Sequence, residues 1–295
     1  MCVTCGCADD AQVTFTPVGR TTPGTMPQPH THVLADGTQL SHTHPAVAAH
    51  GLEGGESPVP LPSTLHTPGT TLALETKLLA KNDLIAAHNR EWLRQRHLTA
   101  LNWVSSPGAG KTTLLVRTIA DLQPEMPIVV IEGDQATTHD AERIAATGCA
   151  TLQVNTGTGC HLEAAMVERG LVTLDPPPGG LVLIENVGNL VCPALFDLGE
   201  AAKVVMLSVT EGEDKPLKYP HMFRASQVMV LTKIDLLPYV NFEVDRCLAY
   251  ARQVNPALQI FLVSAVSGAG LEAWYDWLRA IAPATRSGSA IAPEQ

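Results

Sequence analysis

Nine consecutive residues give the first chemical lead. Ser105-Ser106-Pro107-Gly108-Ala109-Gly110-Lys111-Thr112-Thr113 follows an aliphatic run that ends at Val104. The pattern nearly matches the phosphate-binding loop G-x-x-x-x-G-K-[ST], with Ser105 in place of the first glycine. Gly108 and Gly110 let the backbone wrap phosphate oxygens. The helix that follows offers its N-terminal amides and dipole to the anion. Lys111 is expected to reach the terminal phosphates, and the Thr112 hydroxyl to coordinate Mg²⁺. Pro107, Ala109 and Thr113 complete the cradle.

Base choice lies downstream. The run Val228–Leu231 ends in Thr232-Lys233-Ile234-Asp235. In guanine-binding proteins the corresponding pattern is Asn-Lys-x-Asp. Its Asp accepts two hydrogen bonds from guanine, and its Lys packs along the base. Here Thr232 replaces Asn. A later run ends at Val263-Ser264-Ala265, which resembles the second guanine-binding turn. Lys233, Asp235, Ser264 and Ala265 therefore point to GTP over ATP. Two carboxylate stretches close strands between these elements. Glu185-Asn186-Val187-Gly188 stands where Asp-x-x-Gly is usual, so Glu185 is expected to hold a Mg²⁺ water. Glu132-Gly133-Asp134 offers Asp134 to position the attacking water or to hold Mg²⁺; a helix cap is the plainer role for Asp134. Lys111, Asp134 and Glu185 are the catalytic candidates.

Soft ligands form a second theme. Cys2, Cys5 and Cys7 place three thiols within six residues. Thiolates suit Ni²⁺, Zn²⁺ or Cu(I). Cys160 and His161 are adjacent in a Gly-rich loop, and Cys192 lies seven residues beyond Glu185. That placement would couple a metal to the segment that moves on nucleotide hydrolysis. Cys149 and Cys247 read as small core hydrophobes. Six of the eleven histidines, His30, His32, His42, His44, His50 and His66, form a third group. They read equally as weak imidazole ligands for Ni or Zn and as a solvated polar linker.

The elements that must position these residues follow from pattern. Residues 1–70 are rich in Pro, Gly and Thr with little hydrophobic periodicity, and read as a flexible metal-binding arm. Residues 71–97 read as a helix, with Leu74, Leu78, Ile85 and Trp92 recurring near a 3.6-residue period. Strands are expected at Leu98–Val104, Pro127–Glu132, Thr151–Asn155, Leu181–Glu185, Lys203–Val209, Val228–Thr232 and Gln259–Ser264. Helices are expected at Thr112–Leu122, Thr138–Thr147 and Leu162–Arg169. This alternation predicts an α/β, three-layer P-loop NTPase with a mostly parallel sheet over 71–284. Residues 285–295 read as a frayed tail.

The bulk numbers narrow the function. The 295 residues carry a net charge of -10 and are 45% hydrophobic, with aromatics at only 4%. An acidic chain is a poor nucleic-acid binder, because phosphate neutralisation needs Lys and Arg. No apolar run approaches the ~18 residues of a membrane span. Seven cysteines without a secretory signal argue for a cytoplasmic protein with metal or redox thiols.

Together these stretches resemble the HypB family, the GTPases that assist nickel insertion during maturation of [NiFe]-hydrogenase. The matching segments are Cys2–Cys7, Val104–Leu115, Glu132–Ile144, Asn155–Met166, Glu185–Gly199, Ser208–Phe223 and Thr232–Pro238. The resemblance implies slow, regulatory GTP hydrolysis and a homodimer formed on GTP binding. It implies nickel delivery with a HypA-type nickel protein, a SlyD-type metallochaperone and the hydrogenase large subunit. It also implies a tight nickel site at Cys2, Cys5 and Cys7, and a weaker nickel/zinc site at Cys160, His161 and Cys192 near the dimer interface. Lys215 and Lys218 are expected to touch nucleotide or the second subunit. The rival readings are a pure metal store, a maturation GTPase for another nickel enzyme such as urease, and an ATPase of the same superfamily.

Overall fold

The structure is a computed structural model, and it describes residues 13–19, 30–33, 39–42, 68–135 and 137–283. Cys2, Cys5, Cys7, His44, His50, His66 and the 285–295 tail lie outside the described residues. The chain divides into two units, 20–68 and the remainder. In the smaller unit, β2 (His30–Val33) and β3 (Gln39–His42) form an antiparallel pair with His30 opposite His42.

The larger unit is built on an eight-stranded sheet. Its strands are β1 (Thr14–Val18), β4 (Thr99–Ser105), β5 (Ile128–Asp134), β6 (Ala150–Asn155), β7 (Leu181–Glu185), β8 (Ala202–Ser208), β9 (Val228–Thr232) and β10 (Gln259–Leu262). The order is β1-β6-β5-β7-β4-β8-β9-β10. Seven strands run parallel, and β1 pairs antiparallel with β6 at one edge. The helices are α1 (Pro68–Gln95), α2 (Lys111–Leu122), α3 (His139–Ala145), α4 (Ala164–Leu174), α5 (Lys215–Lys218), α6 (Pro220–Ala225), α7 (Val244–Val254) and α8 (Leu271–Ile281).

Buried parallel strands carry apolar residues on both faces, and the core divides accordingly. Leu101 and Trp103 of β4 and Val204 and Met206 of β8 pack with Leu115, Ile144 and Trp274 of α2, α3 and α8. Val205 and Leu207 face the other way, toward Phe223 and Cys247 of α6 and α7. On that same side Ala100 of β4 joins Val182 and Ile184 of β7 beneath Leu93 of α1 and Val167 of α4. The mostly parallel three-layer fold expected from the sequence is what forms.

Two details differ from the pattern. Residues 14–18 fall inside the stretch read as a flexible arm, yet they are the edge strand β1. The segment Thr-Phe-Thr-Pro-Val is short and contains a proline, which edge strands tolerate. Helix α1 also buries a different stripe. Asn82, Ala86, Asn89 and Leu93 face inward, whereas Leu78 is 36% exposed. The asparagines are buried because they bond the backbone of the domain. Asn82 Nδ2 donates to Asp197 O at 2.7 Å, and Asn89 Nδ2 to Ala164 O and Leu198 O at 2.9 and 3.0 Å.

Candidate nucleotide and metal site

The strand β4 delivers Ser105 into the loop, and α2 begins at Lys111. Gly108 and Gly110 hold φ of 76° and 93°, values that only glycine adopts at little steric cost. Ser105, the departure from the usual glycine, is buried and engaged. Its Oγ accepts from Lys111 Nζ at 3.0 Å and donates to Ser106 O at 2.6 Å. Thr232, the other departure, donates from Oγ1 to Ala109 O at 2.6 Å, and Lys233 Nζ donates to Gly108 O at 2.7 Å. The end of β9 thus clamps the phosphate loop from above. Lys215, at the start of α5, donates to Ser106 Oγ at 3.3 Å and pairs with Glu211 at 3.2 Å. Lys218 pairs instead with Asp214 at the surface.

The loop opens into a cavity of about 430 Å³ lined by Pro107, Lys111, Thr112, Glu132, Asp134 and Glu185 among others. A second hollow of about 280 Å³ lies beside it, lined by Thr232, Lys233, Asp235, Leu236, Ala265 and Val266. The first has the lining of a phosphate and cation site, and the second that of a base site. Asp235 and Ala265 line the second hollow, while Ser264 is buried and accepts from Ser267 N at 3.0 Å. Thr113 accepts from Arg143 Nη2 at 3.2 Å.

The carboxylates are not equivalent. Glu185 is buried, and its Oε1 accepts from Thr112 Oγ1 at 2.7 Å. Burial pushes its carboxyl above the ordinary range, opposed by Lys111 and by the Thr112 hydrogen bond. Asp134 is turned into its own loop. It accepts from Gln135 N at 2.7 Å, Thr137 N at 3.0 Å and the Thr137 hydroxyl at 2.5 Å. Glu132 is 3% exposed, and burial, followed by the charges of Glu185, Asp134 and Asp140, pushes its carboxyl up to about 9. The sequence placed Glu132 at a strand end but gave it no role of its own.

The soft ligands gather on two neighbouring loops. Cys160 and His161 follow β6, and Cys192 follows β7. Their ligand atoms all lie within 4.8 Å of one another, a spacing one ion can bridge. Cys160 Sγ is 3.7 Å from His161 Nδ1, and the His161 ring packs on Phe196 with centroids 4.0 Å apart. Burial lowers the His161 pKa to about 4, so the imidazole is neutral and able to ligate at neutral pH.

Buried polar groups fix both loops. Lys203, at the foot of β8, donates to Pro193 O at 2.7 Å and Phe196 O at 3.1 Å, with Glu200 3.7 Å away. Asn186 Oδ1 accepts from Leu162 N at 3.1 Å, and its Nδ2 donates to Asn102 Oδ1 at 3.1 Å. Asn186 also lines the phosphate cavity. One side chain therefore borders the phosphate cavity and holds the loop that carries Cys160 and His161. By contrast, Cys149 and Cys247 are core residues whose thiols burial pushes up to about 12.

With this geometry in place, comparison with known proteins is informative. The family described as "CobW/HypB/UreG, nucleotide-binding domain" matches residues 100–262. The hydrogenase maturation factor HypB of Azotobacter vinelandii is 54% identical over 238 residues, covering 79% of this chain and 77% of that one. The chain belongs to the HypB family. A HypB from Cupriavidus necator is 41% identical over 343 residues, covering 100% of this chain and 92% of its own. The crystal structure of HypB from Helicobacter pylori in complex with nickel superposes with a TM-score of 0.64 at 38% identity. It covers 70% of this chain and 100% of that one. This HypB-family chain therefore has a P-loop NTPase fold with a nucleotide-binding domain.

The family motifs could be read from consecutive residues, but the supports of the site could not. Lys203, Asn102 and Asn186 come from three different strands or strand ends. The only sequence signal for Lys203 and Asn102 was a polar residue inside an otherwise apolar strand run.

Proposed function

We propose that the chain is a GTP-hydrolysing nickel metallochaperone that assists nickel insertion into [NiFe]-hydrogenase during its maturation. The observation that carries this reading is the Cys160, His161 and Cys192 cluster, set beside a phosphate cavity with which it shares β7. Family membership, and a relative solved with nickel, support the choice of metal and client.

In this reading Lys111, the loop amides and the α2 N-terminus hold the GTP phosphates. Asp235 accepts from the guanine edge, with Lys233 and Ala265 against the base and Ser264 shaping the turn beneath it. The Mg²⁺ site is formed by the Thr112 hydroxyl and Glu185, and the donors fit a hard cation because buried carboxylate oxygens there have no other partner. When bound, the ion neutralises charge on the phosphate oxygens. Glu185 or Asp134 positions the attacking water. Asp134 is held meanwhile by the Gln135 and Thr137 amides and the Thr137 hydroxyl. Hydrolysis is slow and regulatory, and GTP closes a cytoplasmic homodimer.

Nickel is the cargo. The tight site is Cys2, Cys5 and Cys7, and the weaker nickel or zinc site is Cys160, His161 and Cys192. The HypA-type protein, the SlyD-type metallochaperone and the hydrogenase large subunit are the partners. Loss of GTP hydrolysis and of hydrogenase maturation together in Lys111→Ala is the expected result. Full maturation in a strain whose Lys111→Ala protein cannot hydrolyse GTP would contradict the reading and favour a metal store.

A further inference from the structure

Glu132 and Glu185 are register partners on the adjacent parallel strands β5 and β7. Paired residues project to the same face, and neighbouring strands lie about 4.8 Å apart. Both side chains are only 3% exposed, and both line the phosphate cavity. Two carboxylates so placed repel each other, and burying either one without a partner is costly.

Lys111 opposes this repulsion through its charge, but no cation among the described residues pairs directly with either carboxylate. Among the described residues no Lys, Arg or His forms a salt bridge with either carboxylate. Lys111, the nearest candidate by position, bonds Ser105 instead. Glu185 Oε1 is satisfied by Thr112, but Glu185 Oε2 and Glu132 Oε2 are buried with no hydrogen-bond partner. Two orphan carboxylate oxygens of residues that line one cavity thus lie beside a hydroxyl. A pair of this kind is neither a stabilising feature of the fold nor a satisfied network. A divalent cation or its water shell between the strands would satisfy both oxygens.

We infer that Glu132 is a cation-holding residue, forming with Glu185 and Thr112 the oxygen floor of the Mg²⁺ site. This rests on reading the cavity as a guanine nucleotide–Mg²⁺ pocket. Magnesium keeps several waters and takes few protein carboxylates, so Glu132 acts on the ion directly or through one of those waters. The all-oxygen floor suits a hard ion, whereas the nearby Cys160, His161 and Cys192 set suits a soft one. Glu132 and Glu185 thereby separate the resident cation from the cargo by ligand chemistry.

The test uses the full chain and Mn²⁺ as the probe for Mg²⁺, read by electron paramagnetic resonance on the GDP complex. GDP affinity and melting temperature are measured beside it in EDTA. Glu132→Gln keeps the shape and removes the charge. It is expected to weaken Mn²⁺ binding by about 10–100-fold, the range for losing a group that supports a metal. GDP affinity in EDTA should be unchanged, and the metal-free melting temperature unchanged or higher. Glu132→Ala should weaken Mn²⁺ to a similar degree. Wild-type Mn²⁺ affinity in both variants would overturn the inference. So would an equal loss of GDP affinity with and without the ion, which marks a general collapse of the pocket. A Glu132→Gln chain that cannot fold would overturn it too, because the ion-free fold would then need the carboxylate. If the wild-type chain binds no GDP in either condition, the nucleotide reading itself fails, and the inference with it.

Discussion

Ser105 and Thr232 stand where the usual motifs have glycine and asparagine, and each carries a hydrogen bond that ties the phosphate loop together. Ser105 holds Lys111, and Thr232 holds the Ala109 carbonyl. Removing the Thr232 hydroxyl leaves that buried carbonyl without its donor, a cost of about 1–3 kcal/mol. Thr232→Ala is therefore expected to weaken GDP binding by that amount in calorimetric titration, and Thr232→Ser to restore most of it. Asp235→Asn should cost guanine about 1.5–3 kcal/mol, the usual worth of hydrogen bonds to a charged group. It should also narrow the preference for GDP over ADP. The thiols give a pH prediction. Burial pushes Cys149 and Cys247 up to about 12, so the neutral thiol dominates from pH 7 through pH 10. Both should resist iodoacetamide throughout that window in the folded protein, and both should react after unfolding, as followed by mass spectrometry. At this scale the phosphate loop was legible, because it is a run of adjacent residues, whereas Cys192 joins Cys160 and His161 only through the fold. Glu132 was not legible. Its importance comes from register with Glu185, 53 positions away, and register between non-consecutive strands leaves no mark in either stretch.

Among elements, the segment from Cys192 to Gly199 is held from three sides. Lys203 of β8 grips its carbonyls, Asn82 and Asn89 of α1 grip Asp197 and Leu198, and Phe196 packs on His161. Lys203→Met removes a buried charge that satisfies two carbonyls and faces Glu200. Breaking such a pair costs about 3–5 kcal/mol. Chemical denaturation should show a loss of that size, and zinc affinity at the Cys160, His161 and Cys192 site should fall with it. Unchanged zinc affinity in the folded variant would mean that the loop holds its ligands without the clamp. Strand positions were legible to within a residue or two, since the apolar runs of β5, β7, β8 and β9 have no other comfortable environment. The edge strand β1 was not, because one proline and five residues carry too little pattern. The inward stripe of α1 was misread for a related reason. Leu74, Leu78, Ile85 and Trp92 were taken as the buried side; Trp92 does pack against the core, but Leu78 is exposed, and Asn82 and Asn89, bonded to backbone, share the inward stripe with Ala86 and Leu93.

For the whole molecule, sheet order explains why two chemistries share one domain. The strand β7 lies between β5 and β4, so its C-terminal end meets the phosphate loop on one side and Glu132 on the other. The segment leaving β7 then runs through Asn186 to Cys192. Gly188 passes so close to the loop that a Cβ there would stand 3.0 Å from Pro107 Cγ. The phosphate loop and the segment leaving β7 thus approach each other four residues before Cys192. The alternating pattern announced the fold class, but the spatial order of the strands, and hence this adjacency, belongs to tertiary structure alone.

We propose that nucleotide state and metal binding are coupled through this segment. The direct measurement is nickel affinity of the full chain carrying Cys2→Ala, Cys5→Ala and Cys7→Ala, once with GDP and once with a non-hydrolysable GTP analogue. Clearly different affinities are expected in the two nucleotide states, with the difference lost in Cys192→Ala. Equal affinities in the two nucleotide states would contradict it, because a ligand that binds two states equally shifts neither.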